Sequence, residues 1–246
     1  MRLRSLSIVI PAYNEEQRLP STLETVLAYL RRPDSGFAPW ELIVVNDGSK
    51  DGTAALVKRL AASEPNLRLI DNPGNKGKGY SVRNGMLQAR HEWVLFSDAD
   101  LSAPIDELPK LFAAAAREQA DVAIGSRALD RSLIGTHQSP FREVGGRFFN
   151  LMVQLGTGLR LWDTQCGFKL FRREAAQAVF QRLQLQRFGF DVEALFIARR
   201  LGFRIVEEPV RWNHVDGTKV SMLRDSIDMF GDIVRVRMNS WKGLYK

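Results

Sequence analysis

Two carboxylates, Asp98 and Asp100, stand one residue apart where the apolar run Trp93-Val94-Leu95-Phe96 gives way to polar sequence. In an extended chain, residues i and i+2 project to the same side, so both side chains can face one ligand. Hard divalent cations such as Mg²⁺ take oxygen ligands and are often held by one or two carboxylates together with the phosphates of a substrate. The spacing suits delivery of a metal ion to a diphosphate. It equally suits a solvated, Asp-rich turn, and the pair alone does not separate the two readings.

Two other apolar runs end in the same manner. Leu6-Ser7-Ile8-Val9-Ile10 stops at Pro11-Ala12-Tyr13-Asn14-Glu15-Glu16, and Leu42-Ile43-Val44-Val45 stops at Asn46-Asp47-Gly48-Ser49. Open α/β sheets bind ligands in the crevice beyond the carboxyl ends of their strands, so Tyr13, Glu15, Asp47, Asp98 and Asp100 are expected to converge.

Positive charge comes from three segments. Asn75-Lys76-Gly77-Lys78-Gly79-Tyr80-Ser81 precedes a helical pattern; its glycines permit close backbone approach, and a helix N-terminus with two lysines favours an anion. A plain loop has the same composition, and neither a Walker sequence nor a dinucleotide fingerprint is present. Gly125-Ser126-Arg127 ends another strand with a guanidinium, suited to bidentate phosphate recognition and equally to an ion pair with Asp98 or Asp100. His214-Val215-Asp216-Gly217-Thr218-Lys219 follows a strand-like stretch, Arg204 to Trp212, and suits a loop closing over a diphosphate or an ordinary mobile loop.

The elements that must position these groups alternate up to about residue 127. Strands are expected over Ser7 to Ile10, Glu41 to Val45, Leu67 to Asp71, Trp93 to Ser97 and Asp121 to Gly125. Helices are expected over Leu19 to Leu30, Thr53 to Ala62, Lys78 to Ala89 and Ile105 to Gln119. This order predicts a mostly parallel sheet covered on both faces. Gly48 and Gly52 bracket a turn, with Ser49 or Asp51 capping the next helix.

Beyond Arg127 the alternation is lost. Phe148 to Leu155 is apolar but too short to span a bilayer, and reads as a core helix or a lipid-facing surface element. Met222 to Trp241 places Leu223, Ile227, Phe230, Val234, Met238 and Trp241 at spacings of three or four, near Arg224, Arg235, Arg237 and Lys242. This is an amphipathic basic helix, whose stripe docks on the core or lies in a membrane interface. The expected organisation is one large domain over 1–221 with a C-terminal helix over 222–246.

With 246 residues, 45% hydrophobic and 26% charged, the chain can bury a full core. Its single cysteine, Cys166, excludes an intramolecular disulfide framework and suits a reducing compartment, as a buried structural residue or a catalytic thiol. The N-terminus leads straight into the first strand without a signal-type apolar region, so a cytoplasmic protein is expected. No run approaches the roughly 20 apolar residues of a spanning helix. The formal net charge of +7 calls for an anionic partner. Without zinc-finger spacing, an RNP-like motif or a long basic stripe, nucleic acid is disfavoured against anionic headgroups and phosphorylated substrates.

Taken in order, these motifs resemble those of inverting family-2 glycosyltransferases with a GT-A fold, and most of all the dolichyl-phosphate β-glucosyltransferases. The resemblance runs through Ser7 to Glu16, Val44 to Thr53, Asn75 to Gly79, Asp98-Ala99-Asp100 and Gly125-Ser126-Arg127. It continues in Asp163-Thr164-Gln165-Cys166-Gly167-Phe168-Lys169-Leu170-Phe171, Phe190-Asp191-Val192-Glu193 and Asp216-Gly217-Thr218-Lys219, and covers about Leu6 to Trp241.

It implies a Rossmann-like, mostly parallel sheet flanked by helices, and transfer of glucose from UDP-glucose to a polyprenyl phosphate with inversion. Pro11, Ala12, Tyr13 and Glu15 would line the base pocket, with Val45 and Asp47 completing the uridine site. Asp98 and Asp100, with Ala99 in the same wall, would hold Mg²⁺ or Mn²⁺ against the diphosphate. Arg127 and Lys219 would meet phosphates, with Lys78 a further candidate to add positive charge at the nucleotide sugar, while Gln165 and Asp191 sit on the acceptor side, Asp191 being the candidate base where one is needed. Asn46 stands where the family frequently has Asp, and Ser102 where related mannosyltransferases often have Gln. The N-terminal membrane helix of the eukaryotic relatives is missing, so peripheral attachment to the cytoplasmic face of a membrane is expected to use surface helices. The rival readings are another donor such as GDP-mannose, a hydroxyl acceptor, nucleotidyl transfer, and a non-catalytic sugar-nucleotide or membrane-binding module.

Overall fold

The computed structural model describes residues 3–136, 140–214 and 222–246, and their side chains apart from those of 140–144, 147 and 222–229. The first half builds β1 (Arg4–Ala12), α1 (Leu19–Arg31), β2 (Phe37–Asn46), α2 (Thr53–Ala61), β3 (Leu67–Asp71), α3 (Lys78–Gln88), β4 (Trp93–Ser97), α4 (Leu108–Glu118) and β5 (Val122–Ser126). Each expected element is present, the first two strands being longer than their apolar cores. One expected helix is divided: Ile105–Glu107 is a 3-10 turn, and α4 begins at Leu108 with Pro109 in its first turn, where a missing N–H costs nothing.

The second half is where the sequence pattern fell silent. It builds β6 (Ile134–Thr136), α5 (Pro140–Thr157), β7 (Phe168–Arg172), α6 (Arg173–Arg182), α7 (Phe190–Arg200), β8 (Ile205–Pro209), β9 (Trp212–Asn213) and α8 (Met222–Trp241). The seven-stranded sheet has the order β3-β2-β1-β4-β7-β5-β8, with β6 and β9 as a separate pair. All neighbours in the large sheet are parallel except β7, which runs antiparallel to both β4 and β5. The strand-like stretch Arg204 to Trp212 divides into β8 and the start of β9.

One apolar cluster lies on each face of the sheet. Leu6, Ile8 and Ile10 of β1 face Leu19, Leu23, Val26, Phe112 and their neighbours, whereas Val9, Ile43 and Phe96 face α3, α6 and α7. The alternation along β7 follows the same rule: Phe168 and Leu170 enter one cluster and Phe171 the other. Lys169 shares the face of Phe171.

The 148–155 run is divided between two sides of α5. Phe149 and Val153 are buried, while Phe148, Leu151 and Leu155 are exposed. On α8 the docked face is set by Ile233 and Val236, with Phe230 packed against the cluster. Val234, Met238 and Trp241, three of the stripe residues read from the sequence, are exposed instead. Just beyond the helix, Tyr245 is fully buried and donates a 2.5 Å hydrogen bond to Glu193.

Candidate active site

Strand β1 pairs with β2 on one side and β4 on the other, so the chain departs in opposite directions from its two edges. That reversal opens a crevice at the carboxyl ends of the strands. Pro11 and Ala12 end β1, Tyr13 and Glu15 follow it, Val45 lies on β2 with Asp47 just beyond, and Asp98, Ala99 and Asp100 follow β4. The structure therefore brings the expected strand-end residues to one edge of the sheet.

Backbone hydrogen bonds lock these ends together. Asp47 N–H donates to Ala12 C=O at 2.9 Å. Asn14, at φ 53°, receives a bond from Lys50 N–H through Oδ1 and donates its own N–H to Ser49 Oγ. Glu15 N–H donates to Thr53 Oγ1 at 2.9 Å. Asn46 donates to Asp71 Oδ1 at 2.7 Å and accepts from Ser49 N–H. An Asp there would set two carboxylates against each other, which gives the departure from the family pattern a physical reason.

Asp47 is buried and its carboxylate is fully engaged. Oδ1 accepts from Asn72 Nδ2 and Lys76 N–H, and Oδ2 from Gly77 N–H at 2.8 Å. It thereby fixes the loop that carries Lys78. The glycines of that loop serve packing: a Cβ on Gly77 would strike Gln186 C=O, and one on Gly79 would lie 2.7 Å from Leu185 O and from Phe190 Cβ. Tyr80 N–H also donates to Gln186 C=O. The first turn of α3 is thus closed by protein groups, and the side chain of Lys78 is what the loop presents to the crevice.

Lys78 Nζ stands 2.7 Å from Asp98 Oδ1 and 5.5 Å from the Phe96 ring centroid. Burial works to lower its pKa, but the carboxylates of Asp98, Asp191 and Asp100 prevail and hold the ammonium above its usual range. Asp98 Oδ1 is buried, and the ion pair with Lys78 is the contact that holds it. Asp98 N–H is held by Gly167 C=O at 3.0 Å. A Cβ on Gly167 would fall inside the envelope of Asp98 Cγ and Oδ2, and 2.9 Å from Oδ1. Asp100 accepts from Ser102 N–H at 2.9 Å.

A buried ion pair lies beneath this wall. Lys169, 2% exposed, donates to Asp191 Oδ1 and, at 2.6 Å, to Cys166 C=O, and its ammonium is 5.6 Å from the Phe96 ring centroid. Burial raises the pKa of Asp191 against the opposing pull of Lys169 and Lys78. Cys166 is 1% exposed and burial pushes its thiol up to about 12. It is a structural residue rather than a nucleophile, which needs the thiolate.

Arg127 pairs with neither Asp98 nor Asp100. Its Nε and NH2 form a fork on Asp163 at 2.6 and 2.8 Å, its backbone N–H adds a third bond, and its guanidinium carbon lies 5.4 Å from the Trp212 ring centroid. Burial pushes Asp163 upward, but the guanidinium prevails and holds it below the usual carboxylate range. Gln165 N–H donates to Asp163 Oδ1, so one carboxylate orients both expected residues. Lys219 and its loop from 215 lie outside the described residues.

Sequence reasoning assigned no role to Lys169, Asp163 or Gly167. The available signal was a lysine inside an apolar strand, since a buried lysine requires a partner. For a divalent cation, the donor set is the Asp98–Asp100 pair. Oδ1 of Asp98 is buried and held through the Lys78 ammonium, so a divalent cation bound there would share or displace that contact. Among the described residues no cluster of three or more His, Cys, Asp or Glu adds further ligands.

Comparison with known proteins places this geometry. Residues 7–180 match Glycosyl transferase family 2. The chain is 40% identical to a dolichyl-phosphate beta-glucosyltransferase of Trichomonas vaginalis over 96% of its own length and 75% of the relative's. It is 35% identical to the dolichyl-phosphate beta-glucosyltransferase of Homo sapiens, covering 99% and 78%. Glucosyl-3-phosphoglycerate synthase from Mycobacterium tuberculosis in complex with phosphoglyceric acid shares the fold at a TM-score of 0.66 and 18% identity, covering 95% and 80%. The same enzyme has been solved with Mn²⁺, UDP and glucosyl-3-phosphoglycerate, at a TM-score of 0.64. The sheet is that of the GT-A glycosyltransferases, and the chain is a glycosyltransferase belonging to family 2.

Proposed function

We propose that this enzyme transfers glucose from UDP-glucose to a dolichyl-type polyprenyl phosphate with inversion, releasing UDP, with Mg²⁺ or Mn²⁺ held by Asp98 and Asp100. The observation that carries the reading is the Asp98–Asp100 carboxylate pair at the strand-order reversal, with Asp98 ion-paired to Lys78 at 2.7 Å. The relatives' common name, dolichyl-phosphate beta-glucosyltransferase, supports the acceptor and the sugar. UDP and Mn²⁺ bound together in a protein of this fold support the donor and the metal.

The bond between glucose C1 and the β-phosphate oxygen breaks as an acceptor phosphate oxygen attacks C1 from the opposite side. A divalent metal held by Asp98 and Asp100 would supply Lewis-acid neutralisation of the departing diphosphate. Lys78 adds a preorganised positive charge at the same place. Pro11, Ala12, Tyr13, Glu15, Val45 and Asp47 form the nucleotide end, Lys219 adds a phosphate contact, and Arg127 and Gln165 face the acceptor. A phosphate monoester has a second pKa near 6 and is mostly dianionic at neutral pH, so its attack needs no general base. Asp191 then serves to place the Lys169 charge.

The acceptor's tail requires approach to a bilayer. Among the described residues no helix is long and apolar enough to cross a membrane. The exposed stripe Val234, Met238 and Trp241 continues from Phe230, which meets Phe148 of the exposed α5 stripe. Residues 230–246 carry Arg235, Arg237, Lys242 and Lys246 against one carboxylate side chain, Asp232, which pairs with Arg235 at 2.9 Å. An apolar face rimmed by cations complements an anionic lipid surface, and we assign it that partner. Residues 1–221 are then the catalytic unit and 222–246 the attachment helix, at the cytoplasmic face.

The test is UDP release from UDP-glucose by purified protein with Mg²⁺, with and without a short polyprenyl phosphate, GDP-mannose being run in parallel. Lipid-dependent release, a β-glucosylated lipid by NMR and loss of both in Asp100→Ala are expected. Release independent of lipid with every donor refutes the acceptor.

A further inference from the structure

Glu193 closes the motif Phe190-Asp191-Val192-Glu193, and nothing in the reaction above uses it. Its side chain is fully buried, a costly place for a carboxylate unless it is hydrogen-bonded. Oε2 accepts Gln184 N–H at 3.0 Å and Leu185 N–H at 2.7 Å, and Oε1 accepts the Tyr245 hydroxyl at 2.5 Å. Burial pushes the pKa of Glu193 up, and these three bonds only partly offset it. Tyr245 is itself fully buried, edge-on to Phe196 with ring centroids 6.0 Å apart. Next to it, Lys246 C=O accepts from Arg182 Nε at 2.9 Å. Glu193 and Tyr245 lie 52 residues apart in the chain, so one carboxylate joins the segment between α6 and α7 to the residues after α8.

That segment is the seat of the loop carrying Lys78. Gln186 C=O accepts from Tyr80 N–H at 3.1 Å. A Cβ on Gly77 would strike the same carbonyl, and one on Gly79 would lie 2.7 Å from Leu185 O. Loop and segment therefore meet backbone to backbone, where neither shifts without the other. The segment then leads into Phe190, whose ring lies 5.7 Å from that of Phe96, the ring on which the Lys78 ammonium rests. Helix α8 touches the same place a second time, since a Cβ on Gly189 would overlap the side chain of Asp232.

We propose that Glu193 and Tyr245 are positioning residues for Lys78. By holding residues 184–187 against the loop they set the ammonium at the Asp98 carboxylate, and the chain after α8 is part of what builds the donor site. Both act through the backbone of 184–187 rather than on a substrate. The inference rests on the role given to Lys78 above and adds the residues that place its charge.

Tyr245→Phe in the full chain removes one hydroxyl and keeps the packed ring. Amide hydrogen exchange followed by NMR reads the coupling without any substrate. The amides of Gln184, Leu185 and Tyr80 should exchange at least about tenfold faster, while that of Asp47, bonded to Ala12 C=O, stays at the wild-type rate. In transfer assays kcat should fall roughly tenfold with the KM for UDP-glucose within about twofold, because a misplaced charge is felt most where charge develops on the leaving diphosphate. In a Lys78→Met background the same change should alter kcat by less than about twofold, since both act through one ammonium. A merely structural role would lower kcat by the same factor in both backgrounds. Glu193→Gln keeps an acceptor for the two N–H groups and offers its amide to Tyr245, so it should retain wild-type exchange at Tyr80 and most of kcat. Wild-type exchange at Tyr80 in folded Tyr245→Phe, or an equal fall in kcat with and without Lys78, overturns the proposal. A wild-type enzyme that transfers no glucose overturns the reaction reading instead, and the exchange rates still decide whether Glu193 and Tyr245 hold the loop.

Discussion

Gly167→Ala isolates the Asp98 carboxylate without touching it chemically. The new Cβ would overlap Asp98 Cγ and Oδ2 and sit 2.9 Å from Oδ1, so the carboxylate must rotate away. Its side chain is 30% exposed and has solvent to turn into, which puts the folding cost at the low end of overpacking, about 1 kcal/mol. For a chain of this size that corresponds to a melting temperature lower by about 2–4 °C. Losing one charged ligand contact removes about 1.5–3 kcal/mol, or roughly 10- to 150-fold in Mn²⁺ affinity measured by electron paramagnetic resonance in the presence of UDP. In an Asp98→Asn background the added methyl should cause little further loss of metal binding, since both changes act through one carboxylate. Full Mn²⁺ affinity in folded Gly167→Ala would refute the assignment of Asp98 as ligand in this arrangement.

Lys169→Met leaves Asp191 as a buried unpaired charge and is expected to cost about 3–5 kcal/mol in denaturant unfolding, whereas Lys169→Met with Asp191→Leu should recover much of it; equal losses in both would deny the pairing. Cys166 should resist iodoacetamide at pH 8 in the native state and react on unfolding, because burial raises its pKa to about 12; fast native labelling, followed by mass spectrometry, contradicts this. Asp163 has a depressed folded pKa, so its contribution is complete above the ordinary value near 3.9 and disappears as pH falls through the folded value. Urea melts between about pH 4 and 2 should therefore be steeper in pH for the wild type than for Asp163→Asn. Met238→Ser with Trp241→Ser should reduce flotation with anionic vesicles while melting little changes, both side chains being exposed; undiminished flotation removes α8 as the attachment face.

The strand ends were readable because alternating periodicity and polar stops are local. Leu6–Ile10, Leu42–Val45 and Trp93–Ser97 declare themselves within five or so residues, and the parallel arrangement of their ends follows from the helices between them. The motif order from Ser7 to Arg127 then carried the family. The second half was less legible because β7 spends its pattern on two different clusters and places Lys169 among phenylalanines, which no period marks as a strand. The side on which α8 docks was illegible for a related reason: spacing identifies an apolar stripe without saying what covers it, and Ile233 and Val236, not Val234 and Met238, are what the core receives.

The sequence by itself determined the fold class, the family and the residues at the edge of the sheet. Tertiary structure decided their partners. Arg127 meets Asp163 rather than Asp98, Lys169 meets Asp191, and Gly167 touches Asp98 because β7 inserts antiparallel between β4 and β5 and carries its preceding segment back to the crevice. Arg127 and Asp163 lie 36 residues apart in the chain, and Lys169 and Asp191 lie 22 apart. Such contacts are set by strand order and register, which depend on how all the apolar faces are buried together rather than on any local run of residues.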